Sequence, residues 1–124
     1  MKKNGFTFVE LLVVITIIGI VFAAGVVSYS SISKNTRDAR RSADLEAIRQ
    51  GLEMCRAIAG VYPATIYTSV VCDDVDSTVT LRSTPVDPAP CDSRPEYDYV
   101  VSGGGYTLST RCMEGTGQII VTNP

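Results

Sequence analysis

Residues 11–27 constrain this chain more than any other stretch: seventeen residues of Leu, Val, Ile, Phe and Ala, broken only by Thr16, Gly19 and Gly25. With Phe6, Phe8 and Val9 the apolar segment reaches about 20 residues, the length of helix that crosses a bilayer. Glu10 stands inside it. A carboxylate at membrane depth costs about 2.5–3.5 kcal/mol on insertion scales, so its presence calls for a reason. Three simple readings compete. A secretory signal peptide would use Lys2 and Lys3, the apolar core and a cleavage site at Ala23-Ala24-Gly25. A plain anchor would stay in the membrane, and a core helix would be buried in a globular domain. Glu10 argues against the first two. Flanking charge does not orient the segment, because Lys2 and Lys3 lie before it and Lys34, Arg37, Arg40 and Arg41 after it.

Charge is divided along the chain. Residues 1–60 carry eight basic and five acidic side chains, net +3; residues 61–124 carry three basic and eight acidic, net −5. An acidic second half with only Arg82, Arg94 and Arg111 is a poor match for nucleic acid. The chain has no His and no Trp, so the commonest general base and neutral metal ligand are missing.

Past the apolar run the helical pattern continues. No Pro interrupts residues 28–59, and Leu45, Ile48, Leu52, Cys55 and Ala59 recur at steps of three and four, one face of an α-helix. Gly60 and Tyr62-Pro63 then stop it. One helix over residues 6–60 is predicted, on the order of 80 Å long; two helices hinged near Ser30 are the alternative. Arg49 and Glu53 are placed to pair on its surface. The group Lys34, Arg37, Arg40 and Arg41 reads either as a solvated face or as cations meeting acidic heads of neighbouring copies.

Residues 61–124 read as short strands between turns: 66–71, 78–82, a hairpin of 97–101 and 106–111 around Ser102-Gly103-Gly104-Gly105, and 117–122. An antiparallel meander laid on the helix is the expected product. The fold class is α+β: a long N-terminal helix, apolar in its first half, with a small antiparallel β-sheet head on its second half. The segments expected are a membrane-length apolar helix at 6–27, its amphipathic continuation at 28–60, and the head at 61–124. The four cysteines, Cys55, Cys72, Cys91 and Cys112, lie beyond the apolar run and form no CxxC pair. They read as two disulfides in an oxidising compartment, with buried thiols as the alternative. The hairpin sets Cys112 opposite about residue 95, near Cys91, which favours Cys91–Cys112 and leaves Cys55–Cys72; all three connectivities stay open.

Lys2-Lys3-Asn4-Gly5, then Phe6-Thr7-Phe8-Val9-Glu10 and the apolar run closely resemble the class III signal of type IV pilins and type II secretion pseudopilins. The resemblance implies that residues 1–5 are a leader peptide cut after Gly5 by a membrane prepilin peptidase, that Phe6 is N-methylated, and that the apolar helix at 6–27 is retained as a transmembrane and then filament-core helix. It also supplies a reason for Glu10: the new amine of Phe6 in a neighbouring subunit would pair with it and set register in a filament. It further implies partners: copies of itself or related pilins, and an inner-membrane assembly platform with its motor. The chain with its leader would sit in the inner membrane, head outside the cytoplasm, and end in an extracellular filament. Many members carry a Pro about twenty residues into the mature helix; here Val26-Val27 stand there.

No enzyme is expected. No Ser or Cys has a nearby His, and Gly103-Gly104-Gly105 leads into a strand rather than a helix, so it is no phosphate loop. No cofactor is expected either. Asp73, Asp74 and Asp76 are a weak Ca²⁺ candidate, since some pseudopilins hold calcium in the head, but the EF-hand glycine and terminal Glu are absent. The favoured role is a pilus subunit serving adhesion, motility or DNA uptake. A secretion pseudopilin is the first alternative. The Asp-Pro-Trp-Gly stretch usual there is reduced to Asp87-Pro88 without Trp. A minor pilin whose head is a binding module is the second.

Overall fold

A computed structural model describes residues 5–73, 75–115 and 117–123. Helix α1 runs unbroken over Phe8–Ala59, so no hinge appears at Ser30. Gly60, at φ +75°, ends it in the left-handed conformation that glycine adopts cheaply. The chain divides into two compact units, residues up to 34 and residues 35–124.

In the first unit every described residue as far as Ile32 is exposed, the apolar side chains included. This part of α1 is long and apolar enough to cross a membrane.

In the second unit α1 buries one stripe. Leu45, Ile48, Leu52 and Cys55 are fully covered, as the sequence spacing predicts, and Arg41, one turn earlier on the same stripe, is covered as well. The four apolar residues pack with Tyr62, Ile66, Val70, Cys72, Tyr97, Tyr99, Tyr106 and Leu108 in one core. Gly51 lies on this face because the strand Val79–Leu81 approaches closely: a Cβ there would sit 3.4 Å from Leu81 Cβ and from the Thr80 hydroxyl, which donates to the Gly51 carbonyl at 3.0 Å.

The strands form two sheets where one meander was expected. β1 (Val70–Val71) pairs antiparallel with β2 (Val79–Leu81). β3 (Asp98–Ser102), β4 (Gly105–Ser109) and β5 (Ile120–Thr122) form the second sheet, with β4 central. Residues 66–69, expected as strand, are irregular. The Thr84 hydroxyl and amide donate to the carbonyls of Ile66 and Thr68, so a side chain and a loop take bonds that a partner strand would otherwise make. Strand β5 is likewise shorter than the expected 117–122. The β3–β4 turn is tighter than expected: Ser102 pairs with Gly105, leaving a two-residue loop of Gly103 (φ +60°) and Gly104 (φ +82°). Positive φ at both central residues is what a type I′ turn demands. On the inner face Tyr99, Tyr106 and Leu108 are buried, whereas Val101, near the hairpin tip, is 40% exposed.

Candidate processing and assembly site

Gly5, Phe6 and Thr7 precede the helix and are exposed. Thr7 is the residue just outside α1, and Glu10 is its third helical residue. The Thr7 amide donates to Glu10 Oε2 at 2.8 Å, and the Thr7 hydroxyl donates to the same oxygen at 2.7 Å. The Glu10 amide donates to Thr7 Oγ1 at 3.3 Å. This is a capping box, in which side chain and backbone satisfy two of the helix's free amides reciprocally. The carboxylate also sits at the positive end of the helix dipole. Before any partner arrives, Glu10 is therefore hydrogen-bonded within its own chain. The sequence signal for this is Thr-x-x-Glu ahead of an apolar run, which adds Thr7 to the residues expected at this site. Lys2 and Lys3 of the basic leader lie outside the described residues.

The head fastens itself to α1 through a charged cluster. Arg41, 0% exposed, donates to both oxygens of Asp87 at 2.9–3.0 Å, to Asp38 at 2.6 Å and to the Ala89 carbonyl at 2.8 Å. Asp87 also accepts the Ala89 amide at 2.8 Å. Asp38 accepts the amides of Glu114 and Gly115 at 3.2 and 2.9 Å, and Arg37 pairs with Glu114. Burial opposes charge on Asp38, but its donors, the Glu114 and Gly115 amides with Arg41 between them, outweigh it and hold its pKa below the ordinary value. The Arg37 guanidinium likewise lowers that of Glu114. So two of the four cations after the apolar run, Arg37 and Arg41, are engaged within the chain. Arg40 is exposed and makes no hydrogen bond or ion pair among the described residues.

At the far end of the stripe Glu53 accepts the hydroxyls of Tyr62 and Tyr106, each at 3.2 Å. Arg49 pairs instead with Glu46 at 3.1 Å, correcting the expected Arg49–Glu53 pair. Glu53 faces the buried tyrosines, and Arg49 turns back one turn to solvent. Arg56 stacks 5.1 Å from the Tyr62 ring centre and donates to the Gly104 carbonyl at the hairpin tip.

The structure joins Cys55 to Cys72 and Cys91 to Cys112, with Cα separations of 5.0 and 5.9 Å, ordinary for disulfides. The first bridge is buried; Cys91 of the second is exposed. Of the weak calcium candidate, Asp73 and Asp76 are exposed, and Asp74 lies outside the described residues. No group of three metal-binding side chains gathers among the described residues.

Comparison with known families gives one match: residues 1–26 fit the model of the prokaryotic N-terminal methylation motif. No curated protein and no solved structure matches the chain. The matched segment covers the basic leader, Gly5, Phe6, the Thr7–Glu10 cap and most of the apolar run. Residues 1–26 thus carry the methylation motif and are similar to the class III prepilin signal found on type IV pilins and pseudopilins.

Proposed function

We propose that this protein is a structural subunit of a type IV pilus-like filament, made as an inner-membrane precursor with its head outside the cytoplasm. The observation that carries the reading is the methylation motif at the head of an apolar helix that its own chain leaves uncovered. A prepilin peptidase cuts between Gly5 and Phe6 and methylates the Phe6 amine. The apolar helix then leaves lipid to pack against those of neighbouring copies. Lipid and helix interior are equally apolar, so specificity has to come from packing and polar pairs. Glu10 provides one such pair, exchanging part of its Thr7 contact for the Phe6 amine of a neighbour and thereby fixing register. Residues 28–60 continue the helix into a head at 61–124. Two disulfides, Cys55–Cys72 and Cys91–Cys112, suit an oxidising exterior. The lack of Trp favours a pilus subunit over a secretion pseudopilin.

The test is the intact mass and N-terminal sequence of the protein from its own cells, without reductant. The expected result is a chain beginning at N-methylated Phe6 and lacking four protons for two disulfides. Processing of Glu10→Ala should be normal while its filaments are lost. A chain beginning at Val26 would identify an ordinary secreted protein and end the filament reading.

A further inference from the structure

The two disulfides differ in what surrounds them. Cys55 and Cys72 are 0% and 2% exposed, sealed inside the core. Cys91 is exposed and Cys112 half-buried, so the second bridge can be reached from solvent. Its place in the fold differs too. The last pair of the β3–β4 ladder is Asp98 with Ser109, and Cys91–Cys112 lies beyond that open end. It joins the connection before β3 to the connection after β4, and each of these supplies part of the charged cluster on α1. The first brings Asp87 and the Ala89 carbonyl to Arg41. The second brings the Glu114 and Gly115 amides to Asp38 and the Glu114 carboxylate to Arg37. The two sulfurs are unequal as well. The Cys91 amide donates to Cys112 Sγ at 3.1 Å. Asp92, whose charge beside Cys91 would repel an arriving thiolate, is paired with Arg94 at 3.2 Å and with Arg111 at 3.4 Å.

We infer that Cys91–Cys112 is a thiol-exchange site, opened by an external dithiol that attacks Cys91 Sγ, and that opening it loosens the grip of the two connections on Arg37, Asp38 and Arg41 without unfolding the core. In the first step a thiolate of the dithiol bonds to Cys91 Sγ, the Cys91–Cys112 bond breaks, and its electron pair leaves on Cys112 Sγ. The second sulfur of the dithiol, deprotonated in turn, attacks the first and displaces Cys91 as a thiolate. The dithiol ends as a disulfide, oxidised by two electrons; the two cysteines end reduced and take up through solvent the two protons that the dithiol gave up. Exchange is fastest where the attacked sulfur is accessible and the leaving thiolate is stabilised. Exposure selects Cys91 for attack. The Cys91 amide, already directed at Cys112 Sγ, stabilises the charge that develops there, because a hydrogen bond to an anion is the stronger kind. With the bridge open, the Arg41 cluster must hold the two connections without it. Strands β3 and β4 keep their ladder, and the buried bridge keeps Cys72 on the helix.

The experiment treats the full chain, in detergent and with both bridges formed, with dithiothreitol and separately with glutathione at fixed pH. Iodoacetamide stops the reaction, and a peptide map locates each cysteine's state. The expected result is that Cys91–Cys112 opens about tenfold faster or more than Cys55–Cys72, and that glutathione is caught on Cys91 rather than on Cys112. In urea the difference between the bridges should disappear. After selective opening and alkylation, amide exchange read by mass spectrometry should speed about tenfold or more over residues 87–95 and 110–115 and stay unchanged over 99–108. The double variant Cys91→Ser, Cys112→Ser should show the same regional pattern before any thiol is added. Equal rates for the two bridges in the folded chain, or glutathione on Cys112, would overturn the exchange site. Faster amide exchange over 99–108 as well, or none over 87–95 and 110–115, would overturn the local release.

Discussion

Replacing Arg41 by Met removes the only cation paired with Asp87 among the described residues; Asp87 is 7% exposed. Asp87 would keep one donor, the Ala89 amide, and the Ala89 carbonyl would lose the guanidinium. Breaking a buried ion pair by deleting one partner typically costs about 3–5 kcal/mol, because the remaining charge stays desolvated and uncompensated. A compact unit of some 90 residues shifts its midpoint by about 4–8 °C per kcal/mol, so the loss amounts to tens of degrees. The double variant Arg41→Met, Asp87→Leu removes both charges, and such replacements are often neutral or stabilising. It should therefore recover most of the midpoint. The assay is thermal unfolding of the detergent-solubilised full chain by near-ultraviolet circular dichroism, where the buried tyrosines of the head report tertiary packing. A drop of only a few degrees for Arg41→Met, or a double variant no better than the single, would refute the reasoning: Asp87 would then be rehydrating freely, and the cluster would be a surface feature.

Three other outcomes are expected. Removing the Cys55–Cys72 bridge as Cys55→Ala, Cys72→Ala should cost about 3 kcal/mol from released loop entropy over its separation of 17 residues, read as a lower midpoint with the second bridge intact in a non-reducing peptide map. Gly51→Leu should cost about 1–3 kcal/mol, since its side chain would have to displace β2 at Thr80 and Leu81; unchanged stability would mean the strand is not held there. Acid should loosen the head. Asp38 and Glu114 have lowered pKa values, so their contribution is complete above the ordinary carboxylate range near 4 and disappears as pH falls through the lowered values. The reverse holds at alkaline pH. Burial, the first cause in each case, raises the phenols of Tyr97, Tyr99 and Tyr106, so stability present below about pH 10 is lost as pH rises through their folded values. Absorbance at the tyrosinate band should lag and then rise together with unfolding.

Much of the fold was legible because strong periodicity carries it. The 3–4 spacing of Leu45, Ile48, Leu52 and Cys55 marked the buried stripe, and alternation in 97–101 and 106–111 marked the hairpin, whose register indeed extrapolates Cys112 opposite residue 95. The short strands were less legible. Residues 66–71 have strand composition, but only Val70–Val71 find a partner, because Thr84 occupies the backbone before them. The prepilin signal is readable as a motif, whereas the internal cap is legible only when Thr7 and Glu10 are taken as a pair across the helix start. The Arg41 cluster was hidden for a different reason. A buried arginine looks the same in sequence as a solvated one, and its acceptors Asp38, Asp87 and Ala89 are spread over fifty residues of chain. Its position four residues before Leu45, on the line of the apolar stripe, is the one sequence signal that marks it, and the reading as a solvated or intersubunit cation passed over it.

The buried stripe of α1 is fixed at both ends, and the fixings differ in kind. At Arg41 the hold is ionic; at Cys55, fourteen residues or about 21 Å further on, it is covalent. A pull along the helix enters the head as shear over this span. The ion pairs at the near end can break and reform without a chemical step, whereas the bridge cannot. The bridge at the far end leaves no route by which the helix can slide out while the disulfide lasts. A chain fastened in this way keeps its head tied to the helix for as long as the bridge lasts, and a reductant is what would release it.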